Sequence, residues 1–147
     1  MELCYGWYLV KESLDMFSIS HGIDIVEIKR IEKVYKKFNK KFINRILSNE
    51  EISKIKFESL SKTNVANFLA ARYACKEACA KAAGTGFSNG LKFTDFKIFN
   101  DQHGKPVLIV SEKVRKMLKK DFNSTISISH EKKFAIASVI FYYPKNK

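Results

Sequence analysis

Two carboxylates stand where ordinary packing would not place them. Asp24 interrupts the run Ile19, Ile23, Ile25, Val26, Ile28, whose β-branched residues otherwise read as a buried strand. Glu77 lies in an alanine-rich stretch, on the helical face that also carries Tyr73 and Lys81 and leads to Gly84. Oxygen ligands from one or two carboxylates, completed by waters and substrate phosphates, are the usual protein share of a Mg²⁺ site. Lys76 and Lys81 are close enough in sequence to meet the phosphate charge that such an ion only partly neutralises. A plainer reading stays open on the residues alone. Glu77 and Lys81 stand four apart in the order that favours a helix ion pair, and Asp24 is equally suited to a cap or a structural pair.

The elements that must position these groups are legible. Ile19 to Ile28 is the strand. Lys29 to Lys41 follows, with Ile31, Val34, Tyr35 and Phe38 at helical spacing and basic residues between them, an amphipathic helix with a cationic outer face. Phe42 to Leu47 continues apolar, and Ser48 then begins another helix as N-cap, with Glu51 at the capping-box position. Asn64 to Ala83 holds eight alanines and no Gly or Pro, which predicts a long helix capped by Asn64, whose small side chains let another backbone approach. Gly84-Thr85-Gly86 ends it and offers backbone freedom and open N–H groups.

The second half of the chain reads as two hairpins around a helix. Phe93 to Phe99 and Pro106 to Val110 flank the turn Asp101-Gln102-His103-Gly104, Ser111 to Asp121 is a basic helix, and Ser124 to His130 pairs with Phe134 to Tyr143 across Glu131-Lys132-Lys133. The fold class expected is α+β, helices packed on one side of a small, largely antiparallel sheet whose strand order the sequence does not give. Residues 1–18 show no clear period and are taken as an amino-terminal extension, with 19–147 as a single domain.

Charge narrows the partners. Lys and Arg number 27 against 15 Asp and Glu, a net +12 that attracts polyanions: nucleic acid, an anionic membrane, a phosphate-rich ligand or an acidic protein. No recognisable DNA or RNA motif accompanies the charge, and no apolar run is long enough to span a bilayer as a helix. Cys4, Cys75 and Cys79 form no paired framework, so a reducing cytoplasm fits best. Cys75 and Cys79 lack further Cys or His at zinc-like spacing and read as small apolar helix residues. Two rivals remain, a nucleic-acid-binding module and a structural oligomer built on the alanine-rich helix.

Two segments weigh against both rivals. Gly22-Ile23-Asp24-Ile25-Val26-Glu27-Ile28 with Arg30-Ile31, and Phe68-Leu69-Ala70-Ala71-Arg72-Tyr73-Ala74-Cys75-Lys76-Glu77-Ala78 running on to Lys81 and Gly84-Thr85-Gly86, resemble the two signature motifs of the holo-acyl-carrier-protein synthases. They stand in the right order at the right spacing. Phe42-Ile43-Asn44-Arg45-Ile46-Leu47, Gly104-Lys105-Pro106 and Ser127-Ile128-Ser129-His130 agree as well, so the resemblance extends from about Ile19 to Tyr143.

The resemblance implies a 4'-phosphopantetheinyl transferase fold and a transfer of 4'-phosphopantetheine from coenzyme A to a serine of apo acyl carrier protein. Adenosine 3',5'-bisphosphate is released, in support of fatty acid biosynthesis. It implies that Asp24 and Glu77 hold Mg²⁺ at the coenzyme's diphosphate and act in catalysis with Lys81, Glu77 being first choice to relay the serine proton. It assigns Lys76, Lys81, Gly84, Gly86, Pro106 and His130 to the coenzyme, and Arg30 and Arg45 to the acidic carrier protein. It also implies a homotrimer with each active site at a subunit boundary.

Overall fold

The structure is a computed structural model that describes residues 17–88, 90–118 and 121–144. The expected extension, residues 1–18, lies outside these except for its last two, which open the first strand.

Strand β1 (Phe17–Glu27) runs directly into helix α1 (Ile28–Phe38). The helix expected to reach Lys41 stops at Asn39, whose φ of 42° lies in the left-handed region that Asn tolerates better than most residues. The chain then restarts as α2 (Lys40–Ile46), and α3 (Asn49–Ser53) follows. The Ser48 cap is as expected. Glu51 N donates to Ser48 Oγ at 3.2 Å and Ser48 N donates to Glu51 Oε2 at 2.8 Å.

Helix α4 (Lys62–Ala82) is the axis of the molecule. Its cap is Ser61, not the expected Asn64: Asn64 N donates to Ser61 Oγ at 3.2 Å, so the helix begins just ahead of the residue proposed to start it. Leu69, Ala70, Ala74, Cys75, Ala78 and Cys79 are fully enclosed. Strands β2 (Phe96–Asn100) and β3 (Pro106–Val110) pair antiparallel, helix α5 (Glu112–Leu118) follows, and β4 (Asn123–His130) and β5 (Phe134–Pro144) pair antiparallel.

Among the described residues the strands form two sheets rather than one. The larger has the order β1-β5-β4, with β5 central and Asp24 opposite Ala137; the smaller is the β2-β3 hairpin. One face of β1-β5-β4 packs on α4 through Val26, Ala135, Ala137, Val139 and Phe141, all buried. Period-2 alternation sends Ile19, Ile23 and Ile25 to the other face, where they are 64%, 51% and 60% exposed. The run that reads as a buried strand is thus covered on one side only.

Candidate functional site

The crossing of β1 over α4 builds the site. Gly22 lies so close to the helix that a Cβ added to it would stand 2.0 Å from Ala78 O and 2.6 Å from Ala82 N. No side chain fits there, and the approach also needs the alanines beneath. Two residues on, Asp24 points to the same face of the strand as Gly22, over the turn of helix that carries Glu77 and Lys81. Lys81 Nζ donates to Asp24 Oδ1 at 2.8 Å and to Ile23 O at 3.0 Å. Sequence-distant Asp24 and Lys81 are therefore in contact, with the Lys81 side chain half exposed.

Glu77 is partly buried beside them. Burial holds its carboxyl above the ordinary carboxylate range, and the nearby charge of Asp24 pushes the same way; the Tyr73 phenol, Lys81 and Arg30 oppose. Two carboxylates near enough to feel one another, one of them partly withdrawn from water, form a donor set suited to a hard divalent cation. The metal-site residues present number two, and no cluster of three or more His, Cys, Asp or Glu occurs among the described residues. Such a site needs water and phosphate oxygens to complete its shell.

The other residues singled out in the sequence fall in different places. Arg30 and Arg45 come together at a groove of about 340 Å³ between α1 and α2, walled by Val34, Phe42, Tyr73 and Phe93. Tyr73 belongs to both regions, since it lines the groove and precedes Glu77 by one turn of α4. Pro106 and His130 line a second cleft, about 380 Å³, with Asn64, Phe68 and Arg72 from the first half of α4. Arg72, not identified from the sequence, is largely buried there: Nη2 donates to Asn100 Oδ1 at 2.5 Å and its guanidinium lies 4.8 Å from the Phe68 ring centre. A charge within an alanine-rich helix was the signal available for it.

Two expectations need correcting. Lys76, read as a phosphate contact beside Glu77, points the other way, because consecutive helical residues diverge by about 100°. Its ammonium is fully enclosed, donating to Glu51 Oε2 and to Ile46 O, both at 2.7 Å. The N–H groups of Gly84 and Gly86 are not open either. Gly84 N donates to Lys81 O at 2.9 Å and Gly86 N to Ala80 O at 3.1 Å, closing the helix end. Both glycines have positive φ, 76° and 55°, which accounts for the residue type.

This arrangement has close counterparts. The sequence profile of the 4'-phosphopantetheinyl transferase superfamily matches residues 20–139, so the chain belongs to that family. It is 47% identical over 122 residues to a holo-[acyl-carrier-protein] synthase of Geobacillus sp. (strain WCH70), covering 83% of this chain and 94% of that one. The corresponding protein of Pelagibacter ubique is 44% identical over 124 residues, covering 81% and 92%. Among solved structures, the holo-(acyl-carrier-protein) synthase of Bacillus anthracis in complex with CoA (3',5'-ADP) superposes with a TM-score of 0.72 at 38% identity, over 87% of this chain and 98% of that chain. The Helicobacter pylori enzyme in complex with coenzyme A gives 0.71 at 37% identity, over 82% and 98%.

Proposed function

We propose that this chain transfers 4'-phosphopantetheine from coenzyme A to a serine of apo acyl carrier protein, yielding the holo carrier and adenosine 3',5'-bisphosphate, in support of fatty acid biosynthesis. The observation that carries the reading is the meeting of Asp24, Glu77 and Lys81 beside a groove lined by Arg30 and Arg45. A diphosphate binds at the first and an acidic protein at the second, so the two substrates approach from adjoining sides.

Phosphoryl transfer asks a protein mainly for positioning and for neutral surroundings while charge shifts to the leaving group. Asp24 and Glu77 are the residues that would hold Mg²⁺, and the ion when bound supplies charge neutralisation and alignment of the diphosphate. Lys81, half exposed and already within hydrogen-bonding reach of Asp24, turns its ammonium to the remaining phosphate charge. Glu77 receives the serine proton on its carboxylate as the serine oxygen attacks the phosphorus bearing pantetheine. The bond from that phosphorus to the bridging oxygen breaks, and the nucleotide leaves. Arg30 and Arg45 orient the carrier, and their charge speeds its encounter.

The residues assigned to coenzyme A fall into two groups along α4. Lys81, Gly84 and Gly86 are at its end, whereas Pro106 and His130 face Arg72, about 14 Å of helix axis away from Lys81. A homotrimer reconciles them: the nucleotide end of the coenzyme rests in the Pro106–His130 cleft of a neighbouring subunit. Support comes from the uncovered face of β1-β5-β4, where Ile19, Ile23, Ile25, Phe134 and Ile136 are exposed together. We place the transferase unit at residues 19–147 and the reaction in the cytoplasm, in keeping with the two free, enclosed thiols of Cys75 and Cys79.

The test is to incubate the protein with coenzyme A, Mg²⁺ and an apo acyl carrier protein and to weigh the carrier by mass spectrometry. A gain of one phosphopantetheine is expected, abolished by chelation; an unchanged mass refutes the proposal. For the subunit boundary, Glu77→Ala and His130→Ala chains mixed through unfolding and refolding should recover activity that neither has alone, and no recovery would place both residues in one subunit's site.

A further inference from the structure

Asn100 touches two walls of the cleft that holds Pro106 and His130. It is the last residue of β2 and stands opposite Pro106 in the β2-β3 register. Its side-chain oxygen accepts from Arg72 Nη2 at 2.5 Å, and its side-chain nitrogen donates to Gly104 O at 2.7 Å. A guanidinium only donates and a carbonyl only accepts, so these partners admit one orientation of the amide. One small side chain thus ties the central helix to the turn that leads to Pro106. The turn does not need it for its own shape, because Asp101 Oδ1 already accepts from His103 N at 2.8 Å and from Lys105 N at 2.9 Å. What Asn100 adds is the place of that turn relative to α4.

The amide also aims a charge. Arg72 is 9% exposed, and among the described residues no carboxylate pairs with it. Glu51, which shares a neighbouring cleft with Arg72, is committed to Lys76 at 2.7 Å. Among the described residues no guanidinium nitrogen is both enclosed and without a partner, so the donors that Asn100 does not take reach the clefts beside it. The direction of the guanidinium is set by the amide on one side and by the Phe68 ring, 4.8 Å away, on the other.

We propose that Asn100 is a positioning residue for coenzyme A: its amide fixes the Arg72 guanidinium and the turn before Pro106 in the one frame that receives the nucleotide end. The inference rests on the assignment of the Pro106–His130 cleft to that end of the coenzyme. Groups fixed before binding need not be ordered by the ligand, so less of the interaction energy is lost in arranging them.

The test measures adenosine 3',5'-bisphosphate binding by calorimetry, melting temperature and transfer kinetics in wild type, Asn100→Ala, Asn100→Asp and Asp101→Ala. Asn100→Ala should bind the nucleotide about 10-fold more weakly and raise the KM for coenzyme A by a similar factor, since a hydrogen bond to a charged group is lost. Its kcat at saturating coenzyme and its KM for the carrier should hold. Asn100→Asp sets a carboxylate against the guanidinium, so it should melt higher than Asn100→Ala yet bind the nucleotide more weakly still, its charge opposing the phosphates. Stability and affinity moving in opposite directions is a response that a merely structural residue does not give. Asp101→Ala loosens the turn but leaves Arg72 held, and should lose less affinity than Asn100→Ala. Wild-type nucleotide affinity in both Asn100 variants, or losses that simply follow melting temperature across the set, would overturn the proposal while leaving the cleft assignment standing. A wild-type protein that does not bind the nucleotide, or whose affinity is untouched by His130→Ala, would remove the cleft assignment and this role with it.

Discussion

Lys76 and Glu77 are consecutive residues of α4, and the surroundings they reach could hardly differ more. Lys76 enters a sealed pocket where every partner is present: Glu51 and the Ile46 carbonyl accept from its ammonium, while Ser48 N and Ile98 N donate to Glu51. Burial pulls the Lys76 ammonium below the usual lysine range, and Glu51 opposes that pull. Glu77 enters a partly open pocket where a second carboxylate adds to the cost of its charge. The first cluster ties α2, α3 and β2 to the central helix. The second is left electrostatically incomplete, and that incompleteness is what a cation and a diphosphate would relieve. A charged side chain enclosed with all its partners is architecture; one held partly buried beside a like charge is a candidate binding site.

Replacing Lys76 by Met should produce the largest effect, about 3–5 kcal/mol of lost stability by denaturant titration, because Glu51 is left charged and enclosed. Adding Glu51→Leu should recover much of the loss. If Lys76→Met instead folds normally and loses only coenzyme affinity, the two clusters are not distinct in the way described.

Glu77→Gln should do the reverse. Transfer should fall at least about 100-fold, equivalent to ~2.7 kcal/mol of barrier, while the metal-free protein melts at the same temperature or higher. Because the folded-state pKa of Glu77 is raised above 4.5, its protonated form is the one that folding favours. Its contribution is therefore complete below about pH 4.5 and is lost as pH rises through the folded value. The stability gain of Glu77→Gln should appear at pH 7 and fade in melts toward pH 4; a gain independent of pH would contradict the assignment.

Gly22→Ala tests the crossing that joins Asp24 to the second cluster. The added methyl meets backbone, not a yielding side chain, so a cost of about 1–3 kcal/mol and a displaced Asp24 are expected. The Lys76–Glu51 pair should keep its hydrogen-exchange protection. Equal loss of protection at both clusters would show that they unfold as one unit.

The smallest effect belongs to Glu50, which sits on the surface next to Glu51 in sequence and pairs with Lys97 at 2.6 Å. That hydrogen bond from Lys97 lowers its pKa to about 2. Its contribution is present above pH 4.5 and disappears as pH falls toward 2, so Glu50→Gln and wild type should converge in acid melts. Screening by water and salt keeps the difference at neutral pH slight.

Much of this was written locally. The Ser48–Glu51 capping box, the two hairpins and the alanine-rich helix each depend on residues a few positions apart, and each forms as the sequence predicts, except that Phe93–Asp95 make a 3-10 turn ahead of β2 and Ser61, not Asn64, caps the helix. What local pattern missed was set by neighbours remote in the chain. Glu51 reads as a cap and nothing more, yet one of its oxygens also accepts from Lys76 and the other from Ile98 N. Lys76 reads as a phosphate contact because it adjoins Glu77, although helical geometry turns the two apart. Asn39 breaks a helix whose apolar spacing continues past it, since one residue's φ outweighs the pattern.

The sequence by itself determined which residues carry charge into apolar surroundings, which stretch is lean enough for a close crossing, and which family the chain resembles. Tertiary structure alone decided that Gly22 rests on Ala78 and Ala82, that Asp24 thereby meets Lys81, and that Lys76 is sealed away. Spacing along a helix or strand fixes direction within that element. Whether two directions converge depends on how elements pack, and here that was decided by the absence of a single β-carbon.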